Sequence, residues 1–340
     1  MTFYTMYNKC QRWREYWKVI KMAATLKQIS EEAGVSIRTV NRALKEQTGI
    51  SDVKRQEILE VAARMGYIPN IAARNLRLRK SNFVGIVTGT NENDIFIRKS
   101  HDLQQRLEVH GFFPISGLLQ TSPEMVRSML SEWAGMVDTV VLFAWGEWLP
   151  EDVLVSLPQQ FIFVDCKQIP RNCGFHQIKI DRSSGIKDAI LFLLESGRSR
   201  IVRSGNIGDR AEGVEKAFRS FRGESAEKIL IETGGSEFED GYNLGKTLME
   251  SKADAVFFDT DRMAFGFLKY AWEKGIRVPD DIAVVGFDDD PWGNYSCPSL
   301  STVAHPIAEM NSRIVELSER RSAAPEAIIF PTRFIKRQSV

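Results

Sequence analysis

The chain has 340 residues, of which 43% are hydrophobic and 26% are charged. This composition is typical of a globular protein of two or three domains, and it excludes a disordered chain, a collagen-like chain and a small disulfide-stapled scaffold. The formal net charge of +1 conceals an asymmetry. Residues 1–80 carry 16 basic and 7 acidic residues, a net charge of +9, whereas residues 81–340 carry 29 basic and 37 acidic residues, a net charge of −8. A basic N-terminal region on an acidic body predicts contact with a polyanion.

Residues 1–22 are basic and aromatic, and they lack the apolar core of a secretory signal. Two interpretations are open: a basic amphipathic helix that lies on a membrane or on DNA, and a disordered leader that arises from a start upstream of Met22. We favour the second interpretation. No apolar run is long enough for a transmembrane helix, so we expect no membrane partner. The four cysteines show no CxxC spacing and the four histidines are scattered, which predicts reduced thiols, no metal and no cofactor.

Three helical patterns open the folded part of the chain, and a short basic segment follows them. They cover residues 26–33, 37–44 and 52–65. Ser36 and Ser51 stand where helix N-caps are expected. A helix, a three-residue turn with glycine and a second helix form a helix-turn-helix, whose second helix exposes Ile37, Arg38 and Arg42 toward a DNA major groove. The competing interpretation is a generic three-helix bundle with a solvated polar face, which the positive charge disfavours.

From residue 82 onward, apolar strands alternate with amphipathic helices, which is typical of parallel sheets covered on both faces. This length exceeds that of one open sheet, so we expect two α/β lobes with a ligand cleft at the carboxyl ends of the strands. The strands are expected at 83–87, 112–116, 138–144, 160–165, 200–204, 228–232, 254–259, 281–288 and 328–335.

Residues 25–80 resemble the DNA-binding head of the lactose/galactose-repressor (LacI/GalR) family of bacterial transcription regulators. The likeness lies in the AGVS turn, the T-V-x-R-A-L helix, the G-Y-x-P-N corner and the A-R-x-L hinge. The body is similar to the family's core, with the segments Asp181 to Gly185, Arg210 to Gly213, Asp261 to Gly266 and VVGFDD (284–289) in order. The resemblance implies an N-terminal all-α helix-turn-helix head and an α/β periplasmic-binding-protein-like core of two doubly wound parallel-sheet lobes.

The resemblance also implies the domain limits. They are a leader at 1–22, a helix-turn-helix domain at 25–69, a hinge helix and linker at 70–81, and a ligand-binding and dimerisation core at 82–340. Within the core, lobe 1 is expected at about 82–180 and 307–322, and lobe 2 at about 181–306 and 323–340.

The function that the resemblance implies is a cytoplasmic, nucleoid-associated repressor that binds near-palindromic operator DNA as a homodimer and is not an enzyme. Ile37, Arg38 and Arg42 are expected to read bases, and Leu76 to wedge into the minor groove. Asn41 stands where the family usually has serine, so its contact, with a base or with a phosphate, is open. The expected DNA-binding residues are Thr25, Ser36, Ile37, Arg38, Thr39, Asn41, Arg42, Asn70, Ala73, Arg74, Leu76 and Arg77.

The cleft is expected to bind a small-molecule effector, a sugar or sugar derivative, that controls operator affinity. Thr260 replaces the family's usual Asn, and Trp292 is expected to stack on a sugar face. For Arg203 two interpretations are open: it faces the cleft and favours an acidic or phosphorylated ligand, or it pairs with a nearby carboxylate. The expected effector-binding residues are Asp181, Arg210, Thr260, Asp261, Asp288, Trp292, Trp145 and Arg203.

Two other functions compete with this interpretation, a stand-alone sugar-binding protein and a sugar-active enzyme of α/β fold. The first would lack the head and would carry a signal peptide. The second lacks a recognisable catalytic motif, because the Gly245-Lys246-Thr247 sequence misses the earlier glycine of a phosphate-binding loop.

Overall fold

The computed structural model describes residues 24–45, 47–67, 81–89, 94–118, 122–143, 154, 156–166, 175–205, 208–221, 227–231, 235–320 and 324–340. The chain divides into two compact units after Arg79. The expected leader and almost all of the expected hinge lie outside the described residues. Within the described ranges, no helix has the length and apolarity that crossing a bilayer requires.

The first unit is built from helices α1 Leu26–Glu32, α2 Ile37–Leu44 and α3 Asp52–Arg64. Each helix begins after a hydroxyl side chain, Thr25, Ser36 or Ser51, that accepts a hydrogen bond from a backbone N–H of the first turn. The turn between α1 and α2 passes through Gly34 at φ 63°, a left-handed conformation that costs glycine little. The caps predicted at Ser36 and Ser51 are therefore confirmed. The three helices share one apolar core centred on Ile29, Val40 and Ile58.

The second unit alternates strands and helices. The strands are β1 Phe83–Thr88, β2 Phe113–Leu118, β3 Thr139–Phe143, β4 Gln160–Val164, β5 His176–Asp181, β6 Arg200–Ser204, β7 Glu227–Ile231, β8 Ala255–Phe258, β9 Ala283–Phe287, β10 Ser301–Ala304, β11 Ala327–Pro331 and β12 Arg333–Ile335. The helices are α4 Asp94–Val109, α5 Pro123–Trp133, α6 Arg182–Glu195, α7 Ala211–Ser220, α8 Phe238–Asn243, α9 Gly245–Glu250, α10 Asp261–Lys274 and α11 Ile307–Glu319. Short 3₁₀ turns occur at Gly208–Arg210 and Pro291–Asn294.

These strands form two six-stranded sheets, which define lobe 1 and lobe 2. The first sheet has the order β11-β5-β4-β3-β1-β2, and all of its strand pairs are parallel. The second has the order β12-β10-β9-β8-β6-β7, in which β12 runs antiparallel to β10. Each sheet carries buried apolar clusters formed with helices. The predicted fold class is confirmed, a helical head followed by two doubly wound lobes.

In the described residues the chain crosses between the lobes after β5, after β10 and between β11 and β12. Thr332 lies in the last crossing, where its hydroxyl donates to the carbonyl of Asp181 at 3.0 Å and accepts from the N–H of Gly185 at 3.1 Å. A Cβ on Gly185 would stand 2.7–2.9 Å from Val303, Thr332 and Arg333, so only glycine lets α6 approach this closely. Two crossings are thereby tied together, and they form the hinge of the core.

The structure differs from the expected limits near the C-terminus. The segment 328–335 was expected to form one strand of lobe 2, but β11 pairs with β5 in lobe 1, and β12 pairs with β10 in lobe 2. The expected strand divides into β11 and β12 because the Thr332 hydroxyl is held at the hinge of the core. Strands β5 and β10 were not expected, since β5 alternates buried and more exposed positions and β10 has only four residues.

Candidate functional site

Helix α2 presents a concave, largely basic surface. Its Val40 and Ala43 are buried against α1 and α3, whereas Ile37 is 44% exposed and Arg38 is exposed. Side chains of these kinds provide the contacts made to guanine, adenine and the thymine methyl in a major groove. We call this surface the reading surface, and it is lined by Ile37, Arg38, Asn41, Arg42, Lys45 and Gln47.

Three of the predicted DNA-binding residues hold helix ends. The Thr25 hydroxyl accepts from the N–H of Gln28 at 3.3 Å, and the Gln28 side chain accepts from the N–H of Thr25 at 2.8 Å, which completes a capping box. The Ser36 hydroxyl accepts from the N–H of Thr39 at 3.1 Å and shares a hydrogen bond with the Thr39 hydroxyl. These residues therefore place two helix N-termini, which are favourable positions for phosphate.

Six of the predicted site residues lie outside the described residues. They are Asn70, Ala73, Arg74, Leu76 and Arg77 of the expected hinge, and Trp145 of the core.

A small polar cavity lies between the two lobes of the core. Lobe 1 contributes Ile95 and Arg98 from α4, and the volume is about 20 Å³, room for one or two water molecules. Arg98 crosses the cleft and donates to the carbonyl of Asp288 at 2.9 Å, so the two lobes are in direct contact here. The lining from lobe 2 consists of Ser236, Glu237, Thr260, Asp261, Arg262, Asp288 and Asp290.

Asp288 is the residue on which the contacts of the cleft converge. It follows β9 at φ 114°, a strained conformation for a residue with a side chain. Its carboxylate lies 3.2 Å from His305 Nε2 and 4.0 Å from the Arg210 guanidinium. Burial raises the pKa of Asp288 to about 6, and the surrounding cations, Arg210 first, oppose that rise. The guanidinium of Arg210 also lies over the Phe287 ring, with Cζ 4.0 Å from its centroid.

Four cationic side chains surround Asp288, and we call them the cation cluster. Each of them favours the charged form of the Asp288 carboxylate, and each lowers the pKa of His305, which burial has already moved well below its ordinary value. His305 is therefore neutral at pH 7. The cation cluster consists of Arg98 and Lys99 from α4, Arg182 from the start of α6 and Arg210 from the 3₁₀ turn.

Lys99 is the most deeply buried member of the cation cluster. Its side chain is 1% exposed, and Nζ lies 3.8 Å from Asp165 and 5.4 Å from the centroid of the Phe96 ring. Asp165 also accepts a two-pronged ion pair from Arg182, which joins the end of β4 in lobe 1 to α6 in lobe 2. Burial lowers the pKa of Lys99 to about 8, the charge of Asp165 raises it again in part, and that of Arg182 lowers it further.

Asp261 and Thr260 begin helix α10 on the lobe 2 side of the cavity. The buried Asp261 carboxylate accepts from the Thr302 hydroxyl and from the N–H of Asp290, each at 2.6 Å. Burial, and then the charge of Asp288, raise the pKa of Asp261 to about 8. The Thr260 hydroxyl accepts from the N–H of Met263 and donates to the carbonyl of Ser236, so it acts as a helix cap as well as lining the cavity.

Glycine is required beside Asp261. A Cβ on Gly286, within β9, would lie 2.0 Å from the Asp261 carboxylate. The glycine of the VVGFDD segment therefore makes room for this acid rather than for a turn.

Four predicted effector residues do not line this cavity, and one of them, Arg210, lies beside it against Asp288. Asp181 caps α6, where its carboxylate accepts from the Ser183 N–H at 2.9 Å. Trp292 is 72% exposed beside Tyr295, because Asp290 fixes the 3₁₀ turn through the Trp292 N–H and leaves the ring on the surface. Trp292 therefore does not line the cavity in this structure, and its stacking on a sugar face stays a prediction.

Arg203 is the fourth of these residues. Two interpretations of it were open, and the structure selects the pairing with a carboxylate. Its guanidinium forms two hydrogen bonds to the Asp259 carboxylate, at 2.8 and 3.2 Å, and both side chains are buried. Arg203 therefore stabilises the mouth of β6 by pairing with a carboxylate on the neighbouring strand.

Two segments of the chain match known protein families. Residues 25–70 match the bacterial regulatory proteins of the lacI family, and residues 190–340 match a periplasmic binding protein-like domain. The HTH-type transcriptional regulator DegA of Bacillus subtilis (strain 168) is 28% identical over 337 residues, covering 94% of this chain and 98% of the relative. The HTH-type transcriptional repressor PurR of Mannheimia succiniciproducens is 27% identical, covering 89% and 93%.

Among solved structures, the chain is similar to the Lac repressor dimer bound to operator and the anti-inducer ONPF. The TM-score is 0.74 at 20% identity, with 93% of this chain and 98% of the other covered. The chain therefore resembles LacI-family regulators in both of its units. The proteins that it matches are transcriptional regulators rather than enzymes.

Proposed function

We propose that this protein is a repressor whose affinity for operator DNA is controlled by a small molecule, a sugar or sugar derivative, bound between its two lobes. Two copies bind a near-palindromic operator as a homodimer, as in the Lac repressor dimer bound to operator. The observation that carries the proposal is the reading surface, where two arginines, a lysine, two amides and an exposed isoleucine from α2 and the turn after it line one concave surface.

In the head, Ile37, Arg38 and Arg42 contact base edges, and Asn41 contacts an adjacent base or phosphate. Thr25, Ser36 and Thr39 bring helix N-termini toward phosphates. We place the head at 25–69 and the hinge at 70–81, with Leu76 as the wedge in the minor groove. The other hinge contacts are assigned to Asn70, Ala73, Arg74 and Arg77. Because the operator lies on the chromosome, we place the protein in the bacterial cytoplasm, on the nucleoid.

In the core, Arg210 and Asp288 are the central effector contacts, with Asp261 and Thr260 beside them. A cavity of about 20 Å³ is too small for a sugar, so the ligand enters only when the lobes separate. The ligand then competes with the bridge from Arg98 to Asp288, and it shifts the equilibrium between lobe arrangements by its different affinity for them.

The proposal is tested by selecting operator sequences from a random DNA pool with the full chain, at moderate salt. Binding of the selected site and of random DNA is then compared by fluorescence anisotropy, with and without sugars and sugar derivatives. We expect a preference of at least about 1,000-fold for the selected site, as is usual for specific DNA recognition. The absence of any preference, with and without ligands, would refute the proposed function.

A further inference from the structure

The position of Lys99 on α4 is unusual for a charged residue. Ile95, Lys99, Leu103 and Leu107 follow one another at intervals of four, which places them on one face of the helix. The three apolar members of this row are buried in the core of lobe 1, and Lys99 is buried with them. Burial of an ammonium group is costly unless an anion and hydrogen bonds compensate for it.

The carboxylate next to Lys99 compensates for this charge only in part. Asp165 lies 3.8 Å away, beyond hydrogen-bond distance, and it already accepts the two-pronged ion pair from Arg182. Two cations therefore share one carboxylate at the end of β4. The lowered pKa of Lys99 reflects the same incomplete compensation.

Arg98, the neighbour of Lys99, brings a second charge from lobe 1 into the cleft. It lines the cavity, and in the described structure it donates to a main-chain carbonyl, that of Asp288, rather than to a carboxylate. A guanidinium in this position can bind a planar or tetrahedral oxyanion with two parallel hydrogen bonds.

The acidic side chains that line the cavity from lobe 2 are engaged within that lobe. Glu237 forms an ion pair with Arg262 at 2.6 Å, and Asp290 accepts from the N–H of Trp292 at 2.9 Å. Asp261 accepts the hydrogen bonds described above and holds its proton near neutral pH. Glu237 is thus paired with a cation and Asp261 holds a proton, so the four members of the cation cluster outnumber the carboxylates of Asp165, Asp288 and Asp290, and the potential beside α4 is positive.

We propose that the effector of this protein is anionic, a sugar acid or a sugar phosphate, and that its oxyanion binds Lys99 and Arg98 while its hydroxyl groups face lobe 2. This inference rests on the proposed function and adds the ligand's charge and the residues that select for it. Arg182 and Arg210 add positive potential at the same point from lobe 2. Lys99 is the specificity-determining residue, because it shares Asp165 with Arg182 and gains a counterion of its own only when the ligand is negative.

The test uses the full chain and two matched ligand series. Glucose, glucuronate and glucose 6-phosphate form one series, and galactose, galacturonate and galactose 6-phosphate form the other. Thermal unfolding and calorimetric titration measure binding, since a ligand that binds the folded state raises the melting temperature. We expect an acid or a phosphate to bind at least about tenfold more tightly than its neutral parent, and this advantage to shrink as salt rises. Comparing the uronate with the 6-phosphate in each series shows whether the oxyanion that binds is a carboxylate or a phosphate.

Lys99→Met removes the charge and keeps an unbranched apolar chain on the buried face of α4. We expect this variant to lose at least about tenfold in affinity for the anionic ligand, and to unfold at the same temperature as the unliganded wild type or higher. A merely structural lysine would instead lower the melting temperature. Lys246→Met is the matched control, because Lys246 is exposed on α9 and its replacement leaves ligand affinity unchanged.

The inference is overturned by a neutral parent that binds as tightly as its anions, by a panel in which no anion binds, or by anion affinity that survives Lys99→Met. Operator binding is measured in the same samples. If one of these three ligand results is obtained and the protein still prefers its operator, only the anionic effector is refuted. If the protein shows no preference for an operator, the proposed function itself is refuted.

Discussion

The head and the core place their functional side chains in opposite situations. On the reading surface, Ile37 and Arg38 project from α2 while the apolar side of that helix holds the fold. In the cleft, Arg210, Asp288 and Asp261 are buried and already bonded within the core. The head therefore offers a surface that is formed before its partner arrives, whereas a ligand of the core has to replace contacts that the protein makes with itself.

The largest effect is expected from a substitution that unfolds the head alone. Val40 is fully buried among the three helices, so Val40→Asp places a charge in that small core, which costs several kcal/mol. We expect operator binding to fall at least about 100-fold, while the thermal transition of the core stays where it is. Calorimetry and anisotropy measure the two outcomes separately.

Ala63→Asp is the control for that experiment, because Ala63 is exposed on α3 and receives the same charge. It should leave the head folded. If the Val40→Asp substitution shifts the thermal unfolding transition of the core, the two units do not unfold independently. The description of the head as a surface formed without the core would then be wrong.

The second prediction concerns the reading surface itself. Arg38→Ala should reduce affinity for the selected operator by about 1–3 kcal/mol, roughly 5- to 150-fold, because a bidentate contact to a base is lost. Affinity for random DNA should fall much less. Arg64→Ala removes the same charge from α3, where Arg64 pairs with Glu32, and serves as the control. Equal losses on both DNAs for Arg38→Ala would identify Arg38 as a phosphate contact only.

A third prediction tests the expected hinge helix at 70–81. Leu76→Ala should weaken operator binding more than random DNA binding, because an apolar wedge acts only where the DNA is kinked. Circular-permutation gel shifts of the operator complex measure the bend directly. If the bend is unchanged and both DNAs lose equal affinity, Leu76 is not the wedge.

The head and the core also differ in how much of their structure can be predicted from the sequence. Helix caps at Ser36 and Ser51 are local signals, and apolar runs such as β3 identify buried parallel strands without knowledge of their neighbours. Helical periodicity predicts the four residues that α2 contributes to the reading surface, whereas Lys45 and Gln47 come from the turn after α2 and were not predicted. The fold class and the head are therefore accessible from the sequence, and the family resemblance supplied the domain order.

The cleft is less accessible, because its pairs join residues far apart in the chain. Arg203 and Asp259 are separated by 56 positions, and nothing in the spacing selects that pairing over a cleft-facing arginine. Trp292 follows Asp288 closely, yet the turn held by Asp290 directs it outward. Lys99 does have a signal in the sequence, because it is a charged residue in an apolar row at i, i+4 spacing. It was nevertheless not among the predicted effector-binding residues.

The smallest expected effect is a change in the pH dependence of the core's stability, carried by Asp261. Its pKa in the folded core is raised to about 8 from an ordinary aspartate value of 3.8, so the folded state holds a proton that the unfolded state has released between these limits. This stabilisation is complete below about pH 4 and is lost as the pH rises through about 8. One proton corresponds to a slope of at most about 1.4 kcal/mol per pH unit.

The pH window has to separate Asp261 from the groups that face it. Asp288 and Asp289 approach it from the turn after β9, and Thr302 from β10 donates to it. The pKa of Asp288 is raised only to about 6, and that of His305 lies well below 6.5, so both are largely deprotonated above pH 7. Between pH 7 and 8 Asp261 therefore makes the free energy of unfolding of the unliganded core fall with rising pH, while Lys99, whose pKa is lowered to about 8, loses a proton in the folded state over the same range and opposes that fall.

Asp261→Asn removes this titrating group. At pH 7 the protonated acid presents one hydrogen and the amide presents two, so the substitution adds one hydrogen to a buried network and should make the variant less stable by about 1–3 kcal/mol. The decisive measurement is the slope of the free energy of unfolding against pH, obtained from urea unfolding at pH 7.0, 7.5 and 8.0. This slope should be less negative in the variant than in the wild type, because the contribution of Lys99 is common to both. Parallel slopes would mean that Asp261 is already ionised at pH 7, because the Thr302 hydroxyl and the N–H of Asp290 stabilise its charged form. The network on the lobe 2 side of the cleft would then carry one more negative charge, and it would repel the anion that α4 attracts.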